Sequence, residues 1–293
     1  MLHLIDASVF VFRAYYSVPV SLADRDGNPV NAVYGFARFL IELLGRAGPA
    51  HVAVAFDESL TGSWRQRIYP AYKANRELPP ADLERQFLLC REFCGLLGLA
   101  AYGDAEYEAD DIIGTLAVQA RAAGVTTALV TRDKDLAQLV RPGDEFWDYV
   151  VDRRYGYDDI PTRFGVSAER IADYLALTGD AVDNIPGVPG VGKKTAAVLM
   201  RHFESLEHLY DGLDEVRSLK LRNAGWIASQ LREHREAAFL ARQLTLIACD
   251  MPLVAPLADL ERRPADLTAI NDFFDRVGFG PVLRAQVRRL AWS

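Results

Sequence analysis

The feature that most constrains this chain is a set of apolar, strand-like runs that each close on acid. LHLID ends at Asp6, HVAVAFDE reaches Asp57, and TTALVTRDKD reaches Asp133 and Asp135. Helical periodicity separates them, over Ala32 to Leu44 and Asp82 to Leu97. Alternating strands and helices predict an α/β fold, a mostly parallel central sheet flanked by helices. In such sheets ligands sit beyond the carboxyl ends of the strands, where these acids fall. Glu108, Asp110 and Asp111 precede the apolar periodicity of YEADDIIGTLAVQA and so belong to a first helical turn, with Glu108 and Asp111 on one face. The helix dipole favours acids there by about 0.3–1 kcal/mol, and taken alone that preference accounts for the triplet.

From about Val166 the texture changes to helices joined by short Gly/Pro turns, which divides the chain into an α/β part, 1–165, and a helical part, 166–293. No low-complexity tract or long linker separates them, so the two are expected to pack together. Within the second part, IPGVPGVGKKTA has the form of a helix-hairpin-helix turn. Gly187, Gly190 and Gly192 permit tight or left-handed backbone, and a helix is expected to start near Lys193. Its free N–H groups, with Lys193 and Lys194, would grip a phosphate without reading a base. A plain loop between packed helices is the alternative. Asp180 and Asp183, three apart, stand just ahead of this turn. Beyond residue 211, GWIASQLREHREAAFLARQL is the clearest amphipathic stretch, read as scaffold that completes the same face.

If Asp6, Asp57, Glu108, Asp110, Asp111, Asp133, Asp135, Asp180 and Asp183 converge, they cannot do so uncompensated. Two unit charges about 4 Å apart repel by roughly 4 kcal/mol at an effective dielectric near 20. Hard oxygen donors without His or Cys point to Mg²⁺ or Mn²⁺ and away from zinc. A metal-ligand pair beside a phosphate grip suggests phosphodiester chemistry. The segment WRQRIYPAYKANRELPP interleaves Trp64, Tyr69 and Tyr72 with Arg65, Arg67, Lys73 and Arg76, a composition suited to single-stranded nucleic acid. A solvated loop with two buried tyrosines would read the same way.

The formal net charge of −7 argues against a polyanionic partner only superficially, because leaving those nine carboxylates out turns it into +2. Apolar runs fall far short of the roughly 20 residues of a membrane span, and MLHLIDASVF lacks the form of a secretory signal, so a cytoplasmic location is expected. Cys90, Cys94 and Cys249 are read as reduced core residues, with a metal or redox role as the alternative. The five histidines have no ligand spacing.

Taken together, LIDASVFVFRAYYSVP, GNPVNAVYGF, VAVAFDE, RIYPAYKANR, YEADDIIGTLA, TRDKDLAQLV and TGDAVDNIPGVPGVGKKTA resemble the 5′-nuclease (flap endonuclease) superfamily, of the bacterial 5′→3′ exonuclease type that also forms the N-terminal domain of DNA polymerase I. The resemblance thins after about residue 210. It implies a PIN-like nuclease domain with a helical arch over about 60–85 and a helix–three-turn–helix over about 167–203. It implies a first metal group of Asp6, Asp57, Glu108, Asp110 and Asp111, and a second of Asp133, Asp135, Asp180 and Asp183. Lys73 and Arg76 match the basic pair that meets the scissile phosphate, Tyr72 an arch aromatic and Arg65 a further arch cation. The Gly/Pro turn implies duplex DNA binding, with K⁺ on its carbonyls. Arg132 and Ala7 stand where relatives usually carry Gly, and Trp64 where Phe is common, differences that bear on substrate preference and rate.

The implied activity is Mg²⁺-dependent cleavage of DNA at 5′ ends or 5′ flaps, in replication and repair, with two or more ions and Mn²⁺ as a substitute. The expected state is a monomer, with a DNA polymerase or ligase as partner, and the expected form a free-standing nuclease or an excised domain. A non-catalytic duplex-binding module and an RNA-directed nuclease of the same architecture are the competing readings.

Overall fold

A computed structural model describes residues 1–58 and 62–290 of the chain. Its centre is a six-stranded sheet of β1 (Leu2–Asp6), β2 (His51–Asp57), β3 (Ala100–Asp104), β4 (Thr127–Val130), β5 (Glu145–Asp148) and β6 (Arg153–Gly156), in the order β3-β2-β1-β4-β5-β6. Five strands run parallel, and only β6 is antiparallel, to β5. β1 lies between β2 and β4, with Ile5 in register with Val54 and Val130. Every residue of β1 is buried, which is why LHLID reads as an almost unbroken apolar run and not as an alternation.

Successive residues of a strand point to opposite faces, and each face has its own core. Leu2, Leu4, Ala53, Ala55 and Leu129 pack on one side, Ile5, Val54, Phe56 and Val130 on the other. Helices α1 (Ala7–Ser17), α2 (Asn31–Ala47), α3 (Trp64–Ile68), α4 (Ala81–Leu96) and α5 (Ala109–Ala122) complete the first half of the chain. α1, α2 and α4 cover the Ile5 face, and α5 covers the Leu4 face. Cys90 and Cys94 are buried free thiols of α4, and Cys249 is a half-buried one. Leu60 and Thr61, at the start of the expected arch, lie outside the described residues.

The second half contributes α6 (Ile160–Phe164), α7 (Ile171–Thr178), α8 (Lys193–His202), α9 (Leu206–Asp211), α10 (Ala224–Glu233), α11 (Arg235–Thr245), α12 (Leu267–Arg276) and α13 (Pro281–Leu290). The long amphipathic stretch is two helices, α10 and α11, divided at His234. Helices α6 to α11 extend the core on the Leu4 face. The last two do not stay with them. Ile270, Phe273, Phe274, Leu283 and Val287 return to the Ile5 face, where Phe273 stacks on Phe93 of α4 at 5.6 Å. Among the described residues no helix is long and apolar enough to cross a membrane.

Candidate active site

The carboxyl ends of the central strands open into one cleft of about 250 Å³, lined by Asp6, Asp57, Glu108, Asp110, Asp133, Asp135 and Asp183 together with Lys73 and Arg76. Each acid has a local reason for its place. Asp6 ends β1 and caps α1, accepting from Val9 N at 3.4 Å and from Thr131 Oγ1 at 2.8 Å. Asp57 ends β2 and accepts from Ala109 N at 2.8 Å, which ties the second strand to the start of α5. Glu108 is the N-cap of α5, and Asp110 follows in the first turn. Asp133 lies in the loop after β4 and accepts from Asp135 N at 2.9 Å. Asp183 comes from the turn between α7 and α8.

Crowding shows in the electrostatics. Burial, then the charges of Asp57 and Asp133, push the Asp6 carboxyl from near 3.8 up to about 7. Asp135 is likewise pushed up to about 7 by burial and by Asp133, against the pull of Lys134. Asp110 is raised by burial and by Asp133, Asp6, Asp57 and Glu108. Asp135 Oδ1 is buried without a hydrogen-bond donor, and Lys134 Nζ faces it at 3.4 Å. An all-oxygen donor set carrying excess negative charge fits a hard divalent cation. Among the described residues no three acids stand as a ready ligand shell.

Side-chain cations partly neutralise the cluster. Lys73 Nζ donates to Glu108 Oε2 at 2.9 Å, Arg76 pairs with Asp183, and Lys134 Nζ donates to Asp180 Oδ2 at 2.7 Å. Lys134 lies inside TRDKDLAQLV, and its place between two acids is the signal that marks it. The backbone of the 69–76 segment is pinned to the 180–185 turn by Lys73 N on Asp183 O at 2.9 Å, Asn75 Nδ2 on Ala181 O at 2.9 Å and Asn184 Nδ2 on Ala71 O at 2.7 Å. Lys73 and Asn184 both hold left-handed backbone, φ 56°, a conformation that costs a non-glycine residue of order 1 kcal/mol or more. Nothing in the sequence around Asn75 or Asn184 signals these contacts.

Two expectations for the basic, aromatic segment need correcting. Arg65 is not a surface cation, since it is 3% exposed and forks onto Asp111. Tyr72 is not an open stacking platform, since its ring is buried and its hydroxyl donates toward Glu108 Oε2 at 3.1 Å. Nor does the cleft gather all nine acids. Asp111 is fully buried behind it, and Asp180 faces Lys134 outside it.

The Gly/Pro turn is compact for steric reasons. A Cβ on Gly187 would lie 2.4 Å from the Thr178 carbonyl carbon, and one on Gly190, at φ 77°, would strike the Trp226 ring at 2.1 Å. Gly192 then caps α8, with Lys193 and Lys194 exposed in its first turn.

Comparison with known proteins follows the same division of the chain. DNA polymerase I of Rhizobium leguminosarum is 37% identical over 290 residues, covering 97% of this chain, and that of Mycobacterium leprae 38% over 287 residues, covering 95%. The chain spans only 28% and 30% of those relatives' lengths. Among solved structures, T5 5′-exonuclease with bound zinc ions superposes with a TM-score of 0.67 at 19% identity, over 99% of this chain and 97% of that one. The Rad2 catalytic core in complex with DNA substrate gives 0.63 at 14%, over 98% and 90%. These two likenesses establish a shared fold. Residues 1–165 match the 5′-3′ exonuclease N-terminal resolvase-like domain and residues 166–268 the 5′-3′ exonuclease C-terminal SAM fold, so the chain belongs to the 5′-3′ exonuclease family.

Proposed function

We propose that this chain is a divalent-metal-dependent nuclease, with Mg²⁺ its working ion, that hydrolyses DNA phosphodiesters at 5′ ends or 5′ flaps beside a duplex. The observation that carries the reading is the cleft itself. Seven carboxylates face one space at the strand ends, two of them pushed up to about 7, with Lys73 and Arg76 on the same wall.

Divalent ions bound there would lower the pKa of the attacking water and offset charge on the phosphate oxygens. Asp6, Asp57, Glu108, Asp110, Asp133, Asp135 and Asp183 are the residues that would hold them. The chain's own cations do the rest. Lys73 and Arg76 spend their charge on Glu108 and Asp183 in the free protein, and a phosphate entering the cleft would meet donors fixed in advance by the 69–76 backbone, the arrangement that stabilises developing charge at least reorganisation. The turn at Gly187 to Gly192 follows Asp183 closely in the chain, and the N–H groups of α8 suit a duplex phosphate some way from the cleavage point. Backbone carbonyls of that turn are the proposed K⁺ ligands.

The polymerase relatives support a role in replication and repair alongside a DNA polymerase; a monomer is the state we propose. The test is cleavage of a 5′-flapped DNA and of its RNA counterpart, each with Mg²⁺ and with EDTA. Cutting of the DNA alone, and only with Mg²⁺, is the expected result. Duplex binding without cutting would leave a DNA-binding module, and preference for the RNA form would redirect the substrate assignment.

A further inference from the structure

An arginine with almost no access to water needs a reason to be there. Arg65 Nη1 donates to Asp111 Oδ2 and Nη2 to Asp111 Oδ1, both at 2.8 Å. Its remaining reach goes to backbone carbonyls, Nε to Leu244 O at 2.9 Å and Nη2 to Leu246 O at 3.0 Å. Asp111 takes three further donors, Trp64 Nε1 at 3.0 Å, Ala248 N at 2.9 Å and Glu108 N at 3.2 Å. An ionised carboxylate offers about four lone-pair sites. Five donors already use them, and Asp111 is wholly buried and absent from the lining of the acidic cleft. It has no oxygen left for an ion.

The pair instead joins three pieces of chain that are distant in sequence: α3, the first turn of α5, and residues 244–248 at the end of α11. Glu108 is the third residue before Asp111, and its Oε2 is 3.5 Å from Arg65 Nη1 and 2.9 Å from Lys73 Nζ. Whatever fixes Arg65 on Asp111 therefore fixes where Glu108 and Lys73 stand relative to each other.

We propose that Asp111 is a positioning residue and not a metal ligand: with Arg65 it forms a buried fork that locks the base of the 64–76 segment to the helix presenting Glu108 and Asp110. The proposal rests on the nuclease reading above. It predicts that the two residues behave as one unit toward metal and as partners in stability, whereas a ligand would act alone.

The test is Mn²⁺ titration of the metal-free protein by paramagnetic resonance, with urea unfolding and flap-cleavage kinetics, on Asp111→Asn, Arg65→Met, Arg65→Lys and the double variant Arg65→Met/Asp111→Asn. Mn²⁺ dissociation constants of Asp111→Asn and Arg65→Met should agree within about threefold, with the double variant no weaker than either. Turnover should drop in both single variants with KM for DNA nearly unchanged, and Arg65→Lys should recover part of it. The double variant should unfold at higher urea than Arg65→Met, because it no longer buries an unpaired carboxylate. Should Arg65→Met fail to fold, Arg65→Lys replaces it in the Mn²⁺ comparison. Mn²⁺ binding about tenfold or more weaker in Asp111→Asn than in the Arg65 variants overturns the proposal and makes Asp111 a ligand. Wild-type protein with neither Mn²⁺ affinity nor cleavage would instead overturn the nuclease reading and this proposal with it.

Discussion

Asp6→Asn should make the metal-free protein more stable while disabling it. Asp6 is 3% exposed, and burial with the charges of Asp57 and Asp133 carries its carboxyl from near 3.8 to about 7. Each pKa unit corresponds to about 1.4 kcal/mol, so ionising Asp6 in the folded state costs up to about 4 kcal/mol above pH 7. Part of that repulsion is shared with neighbours that relax or take up the proton themselves, which leaves roughly 2 kcal/mol for the substitution. Asparagine keeps the helix cap to Val9 N, and the Thr131 hydroxyl that donates to Oδ2 can turn to accept. The sign is set by the raised folded-state pKa. Between about 4 and 7 the folded protein binds the proton more tightly than the unfolded chain, so this residue's contribution to wild-type stability falls as pH rises and the full penalty is present above 7. Urea unfolding in EDTA at pH 5 and pH 8 should show Asp6→Asn gaining on wild type as pH rises, and Mg²⁺ should then raise the wild-type midpoint by binding the folded state far more than the variant's. A variant less stable than wild type at pH 8 in EDTA would refute the reasoning.

Three further outcomes are expected. Lys73→Ala should lower turnover on flapped DNA by about 10²–10³-fold with junction affinity nearly intact, and equal loss of both in kinetic and binding assays would contradict its role at the phosphate. Gly190→Ala should cost about 1–3 kcal/mol through its left-handed backbone and its clash with Trp226, and should weaken duplex binding more than Mn²⁺ binding, as read by unfolding and gel-shift titration. Burial, with help from Arg154 and the N-terminal amine, pushes His3 from 6.5 down to about 4. The unfolded chain therefore binds the proton first, this residue's contribution is lost as pH falls from about 6.5 toward 4, and His3→Gln should unfold with a smaller loss over that interval than wild type.

What the sequence disclosed, and what it did not, follows from the range of the interactions. Strand ends at Asp6 and Asp57 are legible because fully buried parallel strands are short apolar runs, and the acid that ends each run marks its carboxyl edge. The turn around Gly187 is legible because its glycines answer a local steric demand. Arg65 is not, because a charged side chain reads as surface until its partner is known, and Asp111 is 46 residues away. Tyr72 fails for the same reason, its hydroxyl being satisfied by Glu108. The β5–β6 hairpin is too brief for periodicity, with four residues in each strand. α12 and α13 carry a clear apolar face, but a face does not say which core it will join, and here it is the one beneath α2 and α4.

The central claim is that Asp6, Asp57, Glu108, Asp110, Asp133, Asp135 and Asp183 form one anionic cleft completed by divalent ions. Anomalous diffraction from crystals soaked in Mn²⁺ tests it most directly. The account predicts Mn²⁺ peaks among these carboxylates, with Asp111 still turned to Arg65. Mn²⁺ bound elsewhere, or a cleft that takes none at saturating concentration, would contradict it.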